Sequence, residues 1–147
     1  MKRREQALLL LRKAGQDEAL LDQVLRSSEV SDEIIGFHCQ QAVEKILKAL
    51  LSEAGVRFRK THDIGMLMTL SADAGLPLPA EFSNLDRLTP FGAIYRYEDY
   101  EEAISLDTKQ VRRLVQELRA WVDSKLQEIH SSSSIDFACN PVGSNSG

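Results

Sequence analysis

Apolar residues recur at helical intervals along most of this chain. The clearest stripe runs from Ile34 to Leu51, where apolar positions follow the i, i+3, i+4, i+7 rule for about five turns. A second stripe from Val111 to Ile129 predicts a long final helix that Asp107 caps. No stretch alternates with the period of a β-strand. The sequence therefore predicts an all-α fold, an up-and-down bundle of four to five helices.

Shorter helices and breaks are predicted around these two stripes. Residues 8–25 form either one helix or two that meet near Gly15, and Gly55 ends the helix over 34–51. A basic segment, residues 57–60, leads to a short helix that oxygen atoms of residues 61–63 can cap. Glycine and prolines over 75–79 break the chain. Residues 85–95 predict a further helix, and 96–106 an ordered loop.

The length of 147 residues allows one domain. We expect residues 1–130 to form the helical bundle. Residues 131–147 begin with four serines and continue with glycine, asparagine and proline, without any apolar period. This composition is typical of a flexible Ser/Gly-rich tail or of a remnant left by cloning.

Charge and cysteine content exclude several classes of protein. The net charge of −4 argues against a generic duplex-DNA binder, which needs a basic face. The apolar run over residues 7–11 is too short for a membrane span or for the core of a secretory signal. Cys39 and Cys139 suggest neither a disulfide nor a metal site, so we expect a cytoplasmic protein.

A polar stripe accompanies the apolar one on the helix over 34–51. His38, Gln41, Lys45 and Lys48 recur at i, i+3, i+7 and i+10, and Glu44 lies beside them. One interpretation is a solvated helix face on which Glu44 and Lys48 form a weak i, i+4 pair. The other is a polar seam against a second subunit or a ligand, because glutamine amides both donate and accept hydrogen bonds.

Residues 61–63, Thr-His-Asp, are a second candidate site. No His-x-x-x-His or Cys-x-x-Cys spacing completes a metal site, so none is predicted. His62 is either a capping or packing residue, or a functional imidazole beside the basic segment. Helix N-termini favour phosphate oxygens, so Lys60, His62 and Asp63 are candidate phosphate-binding residues.

The third candidate is Arg96, which stands between Tyr95 and Tyr97. A guanidinium between two aromatic rings can stack on them and offer its planar face to an anion. Acidic residues follow at once, so a structural salt bridge is the alternative. Arg96 and Tyr97 join the candidate phosphate-binding residues.

Three stretches together resemble the HEPN domain family, small helical domains found beside minimal nucleotidyltransferases in prokaryotes. The first is Phe-His-Cys-Gln-Gln-Ala-Val-Glu-Lys at the start of 37–51. The second is Gly55 followed by Thr-His-Asp at 61–63, and the third is Arg96-Tyr97. Their order and intervals also fit the family, and the resemblance spans residues 8–128.

The resemblance implies a helical bundle that forms a homodimer and binds a nucleotide or RNA, or that partners a minimal nucleotidyltransferase in a toxin–antitoxin-like system. It implies no cofactor beyond a bound nucleotide such as ATP. If a partner transfers a nucleotide to this chain, Tyr97 and Tyr100 are the hydroxyl groups to examine.

Toxic members of the family are ribonucleases that use an arginine followed, after four to six residues, by a histidine. Arg96 matches that arginine, but no histidine follows it in the window, and Glu98 replaces the usual proline. Arg57 and His62 match the pattern literally at a different place. We therefore assign no catalytic residue and expect a binding module. The alternatives are a metal-independent ribonuclease toxin and a purely structural dimerisation domain.

Overall fold

The structure is a computed structural model that describes residues 2–93 and 106–139. The helices of these residues are α1 (Lys2–Val24), α2 (Asp32–Glu53), α3 (Ile64–Asp73), 3₁₀ helices over Ala80–Phe82 and Leu85–Ala93, and α4 (Thr108–Cys139). The predicted all-α fold, an up-and-down helical bundle, is confirmed.

Helix α2 lies at the centre of the bundle. It contacts α1, α3, α4 and the 3₁₀ helix over Leu85–Ala93. More than half of its residues are buried, including polar Gln40 and Glu44. The apolar stripe seen in the sequence accounts for one face of this burial. Contacts on several sides account for the rest, because a helix with neighbours all around must bury more than one stripe.

Local signals in the sequence position the ends of the helices. The backbone of Gly55, at φ +75°, ends α2, and the Val56 amide donates to the Leu51 carbonyl at 2.9 Å. Asp63 Oδ1 accepts from the Met66 amide at 3.2 Å and caps α3. Asp107 Oδ1 accepts from the Gln110 amide at 3.1 Å and caps α4. These predicted ends are confirmed.

Two regions left open by the sequence are decided by the structure. Helix α1 runs through Gly15 without a break, so the single-helix alternative is right. The helix predicted over 85–95 is a 3₁₀ helix as far as Ala93. Pro90 explains this difference, because in an α-helix its ring would clash with the carbonyl of Asp86, four residues earlier.

Helix α4 continues beyond residue 130 to Cys139, into the segment predicted to be a tail. Residues 140–147 lie outside the described part of the chain, as do residues 94–105, which include most of the predicted loop. Within residues 2–93 and 106–139, no helix combines the length and the apolar character that a bilayer span requires.

Replacement of Leu47 by alanine tests the core. Leu47 is completely buried on α2. Removing its side chain is expected to lower the free energy of unfolding by about 2–5 kcal/mol, because a cavity remains where it packed. A denaturant titration measures this. A loss well below 2 kcal/mol would contradict a central position for Leu47.

Two helical glycines form a matched pair of tests. A Cβ on Gly36 would lie 2.3 Å from Cδ1 of the buried Phe91 ring, whereas a Cβ on Gly15 would meet only Arg119 Nη1 at 4.0 Å. Gly36→Ala should cost about 1–3 kcal/mol through overpacking. Gly15→Ala should gain about 0.5–1 kcal/mol, since alanine loses less entropy in a helix. Equal effects in thermal unfolding would contradict the packing of α2 on Phe91.

Candidate functional site

An exposed histidine is held by a buried carboxylate at the connection between α2 and α3. His62 Nδ1 lies 2.6 Å from Glu44 Oε1. The His62 side chain is 75% exposed, whereas the Glu44 side chain is 5% exposed. Because Nδ1 faces the carboxylate, Nε2 on the opposite side of the ring is the nitrogen open to solvent.

Gln40, one helical turn before Glu44, holds the backbone of His62. Its Nε2 donates to the His62 carbonyl at 3.0 Å, and its Oε1 accepts from Gln41 Nε2 at 2.7 Å. Gln40 is fully buried, and a Cβ on Gly92 would lie 2.9 Å from its Cδ. Helix α2 thus positions both the main chain and the ring of His62.

Lys48, one turn after Glu44, shares the same carboxylate. Its Nζ lies 3.6 Å from Glu44 Oε1, which makes the i, i+4 pair that the sequence suggested. The Lys48 ammonium also lies 5.9 Å from the centre of the Phe58 ring, within cation–π range. Glu44 is therefore shared by one half-buried cation and one exposed imidazole.

The segment that leads to His62 presents positive charge to solvent. Arg57, Arg59 and Lys60 are exposed, while Phe58 between them is half-buried. Two of the first three amide groups of α3 already have partners in this chain, since Asp63 Oδ1 accepts from Met66 and Thr89 Oγ1 accepts from Ile64 at 3.1 Å. Side chains of this segment, more than the N-terminus of α3, are thus the groups available to an anion.

The other polar residues of the stripe on α2 face α1. Asp17 Oδ1 lies 3.0 Å from His38 Nδ1, and Asp17 Oδ2 accepts from Lys45 Nζ at 2.5 Å. The Asp17 side chain is only 12% exposed. The structure thus divides the stripe: His38 and Lys45 bind α1, whereas Gln41, Glu44 and Lys48 belong to the group around His62.

Sequence reasoning missed Asp17, although a signal was present. Asp17 and Glu18 lie between Ala14 and Leu21, which are buried members of the apolar stripe of α1. A carboxylate at helical spacing within such a stripe needs a polar partner, because unpaired buried charge is costly. The partner's identity depends on which helix packs there.

A second ionic group joins α1 to α4. Arg112 donates to both oxygens of Asp22, from Nε at 2.7 Å and from Nη2 at 3.1 Å. This bidentate contact holds the pKa of Asp22 below its usual value. Arg119 Nη1 donates to Glu18 Oε2 at 2.7 Å and to the Leu11 carbonyl at 3.0 Å. These residues were not predicted, and their partners lie within the chain, which indicates a structural role.

Cys39 offers no reactive thiol. It is fully buried, and burial raises its pKa to about 12, so almost no thiolate forms near neutral pH. Among the described residues, no group of three or more histidine, cysteine and carboxylate side chains could hold a metal ion. Arg96, Tyr97 and Tyr100 lie outside the described residues.

Two clefts of the described part lie away from His62. One of about 550 Å³ runs along α3, and one of about 650 Å³ lies between the 3₁₀ helix over Leu85–Ala93 and α4. Neither is lined by His62 or by residues 57–60. An anion at His62 would therefore bind outside these clefts.

Comparison with protein-family models matches the HEPN domain over residues 7–126. The match covers most of the chain and includes the polar residues of α2, the basic segment, His62 and the Arg96-Tyr97 pair. The chain belongs to the HEPN domain family, which confirms the resemblance seen in the sequence. Searches of curated proteins and of solved structures found no match.

Proposed function

We propose that this HEPN-family chain is a cytoplasmic, homodimeric binding module that holds the phosphate of a nucleotide at the connection between α2 and α3. In the same proposal it serves a minimal nucleotidyltransferase partner in a toxin–antitoxin-like system. One observation carries the phosphate site: the exposed His62 imidazole is oriented by the buried Glu44, and three exposed cations precede it in the chain within five residues.

The physical case for phosphate is local concentration of donors. Arg57, Arg59 and Lys60 supply guanidinium and ammonium groups within a short segment without regular secondary structure, and charge-assisted hydrogen bonds to phosphate are strong. Lys48 already contacts Glu44 and the Phe58 ring, so in this proposal it helps to hold Glu44 in place and does not bind the phosphate itself. A ring held in place before binding loses less entropy when a ligand arrives.

Other parts of the proposal rest on the family and the sequence. Arg96 and Tyr97 are proposed as further phosphate contacts, and Tyr97 or Tyr100 as an acceptor of a transferred nucleotide. The Asp63 carboxylate caps the N-terminus of α3. Asp63 therefore holds the backbone directly after His62 in place. Membership of the HEPN family supports the homodimer and the nucleotidyltransferase partner.

A thermal-shift titration with ATP, GTP, AMP and short RNA tests the binding module. A ligand at 100 times its dissociation constant should stabilise the protein by about 2.7 kcal/mol, which is a shift of several degrees at this size. The shift should be lost in His62→Ala and weakened in Lys60→Ala. His130→Ala and Lys109→Ala, both exposed on α4, are the matched controls.

The outcomes separate the parts of the proposal. Loss of the shift in Arg96→Ala would support the sequence-based contact at that position. An equal shift in His62→Ala and in the wild type would show that the ligand does not bind at the connection between α2 and α3. No shift with any ligand would favour a structural dimerisation domain.

The orientation of His62 also favours a second candidate function, a metal-independent ribonuclease. An imidazole with an open Nε2 and a carboxylate on Nδ1 is suited to moving a proton, and Arg57 precedes it at the spacing of the ribonuclease pattern. RNA cleavage should then survive chelators and His130→Ala and be lost in His62→Ala. Cleavage that survives both His62→Ala and Arg96→Ala would come from a contaminating nuclease.

A further inference from the structure

We infer that Glu44 holds His62 as the tautomer protonated at Nδ1, so that an anion binds at Nε2 only when that nitrogen is protonated as well. The tautomer follows from the contacts within this chain. The proton-linked binding rests, in addition, on the proposed phosphate site.

The proton between Glu44 and His62 belongs to the imidazole. An ionised carboxylate can only accept a hydrogen bond, so the nitrogen 2.6 Å from Oε1 must donate. The Lys48 ammonium, 3.6 Å from the same oxygen, attracts the ionised carboxylate and gains nothing from the neutral acid. Nδ1 therefore carries a proton whether the ring is neutral or charged.

Nε2 then decides what the exposed side of the ring can bind. In the neutral ring this nitrogen holds a lone pair, which repels an anionic oxygen. In the imidazolium it holds a proton and donates. Rotation of the ring cannot easily present Nδ1 instead, because Glu44 holds the ring and Gln40 holds the His62 carbonyl at 3.0 Å.

Within the described residues, the charged groups near the imidazole come from three parts of the fold. Helix α2 contributes Glu44 and Lys48. The chain on either side of His62 contributes the cations Arg57, Arg59 and Lys60 and the carboxylate of Asp63. The 3₁₀ helix over Leu85–Ala93 contributes Asp86, whose Cβ lies 3.6 Å from the position of a Cβ on Gly65, and the neutral Thr89, which accepts from the Ile64 amide. Histidine is the residue type in this group whose charge ordinarily changes between pH 5 and 8. Anion binding should therefore strengthen towards the acidic end of that range.

Nitrogen NMR of the full chain tests the tautomer without any ligand. Two-bond proton–nitrogen spectra at pH 8 should show His62 protonated at Nδ1, with the signal assigned by its loss in His62→Ala. Glu44→Leu should abolish this preference, and Glu44→Gln, which keeps a polar group if the leucine variant fails to fold, should weaken it. His38, whose Nδ1 faces Asp17, is the internal control and should not change. A wild-type His62 protonated only at Nε2 would overturn the inference.

Calorimetric titration with ATP between pH 5.5 and 8 tests the proton linkage. At each pH, the wild-type affinity is divided by the affinity of His62→Ala. The effect of ATP ionisation on the affinity is common to both proteins and therefore drops out of this ratio. This ratio should fall up to tenfold for each pH unit once the imidazole is neutral. Buffers of different ionisation enthalpy should report uptake of up to one proton more in the wild type than in His62→Ala.

The possible failures are distinguishable. A ratio above one that stays constant with pH would overturn the proton linkage while leaving the phosphate site standing. Absence of ATP binding at every pH would contradict both the phosphate site and the linkage, and the tautomer would still be decided by NMR.

Discussion

Burial of α2 on several sides is the constraint on which the rest of the structure depends. Because α2 contacts the three other α-helices of the described residues, several polar groups along it are enclosed, and most of these are paired within the chain, Ser52 Oγ being an exception. Asp17 of α1 takes the donors of His38 and Lys45, and Glu44 takes those of Lys48 and His62. The same packing that forms the core therefore also determines the orientation of the candidate functional histidine.

The two sides of α2 have different consequences. Toward α1, the ion pairs of Asp17 are nearly buried, so they join two helices and leave little for a ligand. Toward the connection, the pairing of Glu44 ends at an imidazole that is mostly exposed. The buried Glu44 carboxylate fixes the orientation of the exposed His62 ring. For this reason the connection between α2 and α3 is a better candidate site than the rest of the polar stripe on α2.

The proposed phosphate site has to be reconciled with the acidic composition of the chain. A net charge of −4 gives no general attraction for polyanions. Arg57, Arg59 and Lys60 nevertheless concentrate positive charge in one short segment. In the proposed function, such a segment would select a few phosphate groups through hydrogen-bond geometry, whereas a broadly basic protein attracts nucleic acid through long-range charge.

The sequence by itself determined the all-α class, the central helix, three helix ends and the family, because each of these depends on residues close together in the chain. The period from Ile34 to Leu51, the cap at Asp63 and the Phe-His-Cys-Gln-Gln run at 37–41 are all local signals. The 3₁₀ form of residues 85–93 could also have been expected from the sequence, because Pro90 lies within this segment.

Only the tertiary structure decided which polar groups contact each other. Asp17 lies 21 residues from His38, and Glu44 lies 18 residues from His62. Such pairs depend on which helix faces which, and helical periodicity contains no information about the neighbouring helix.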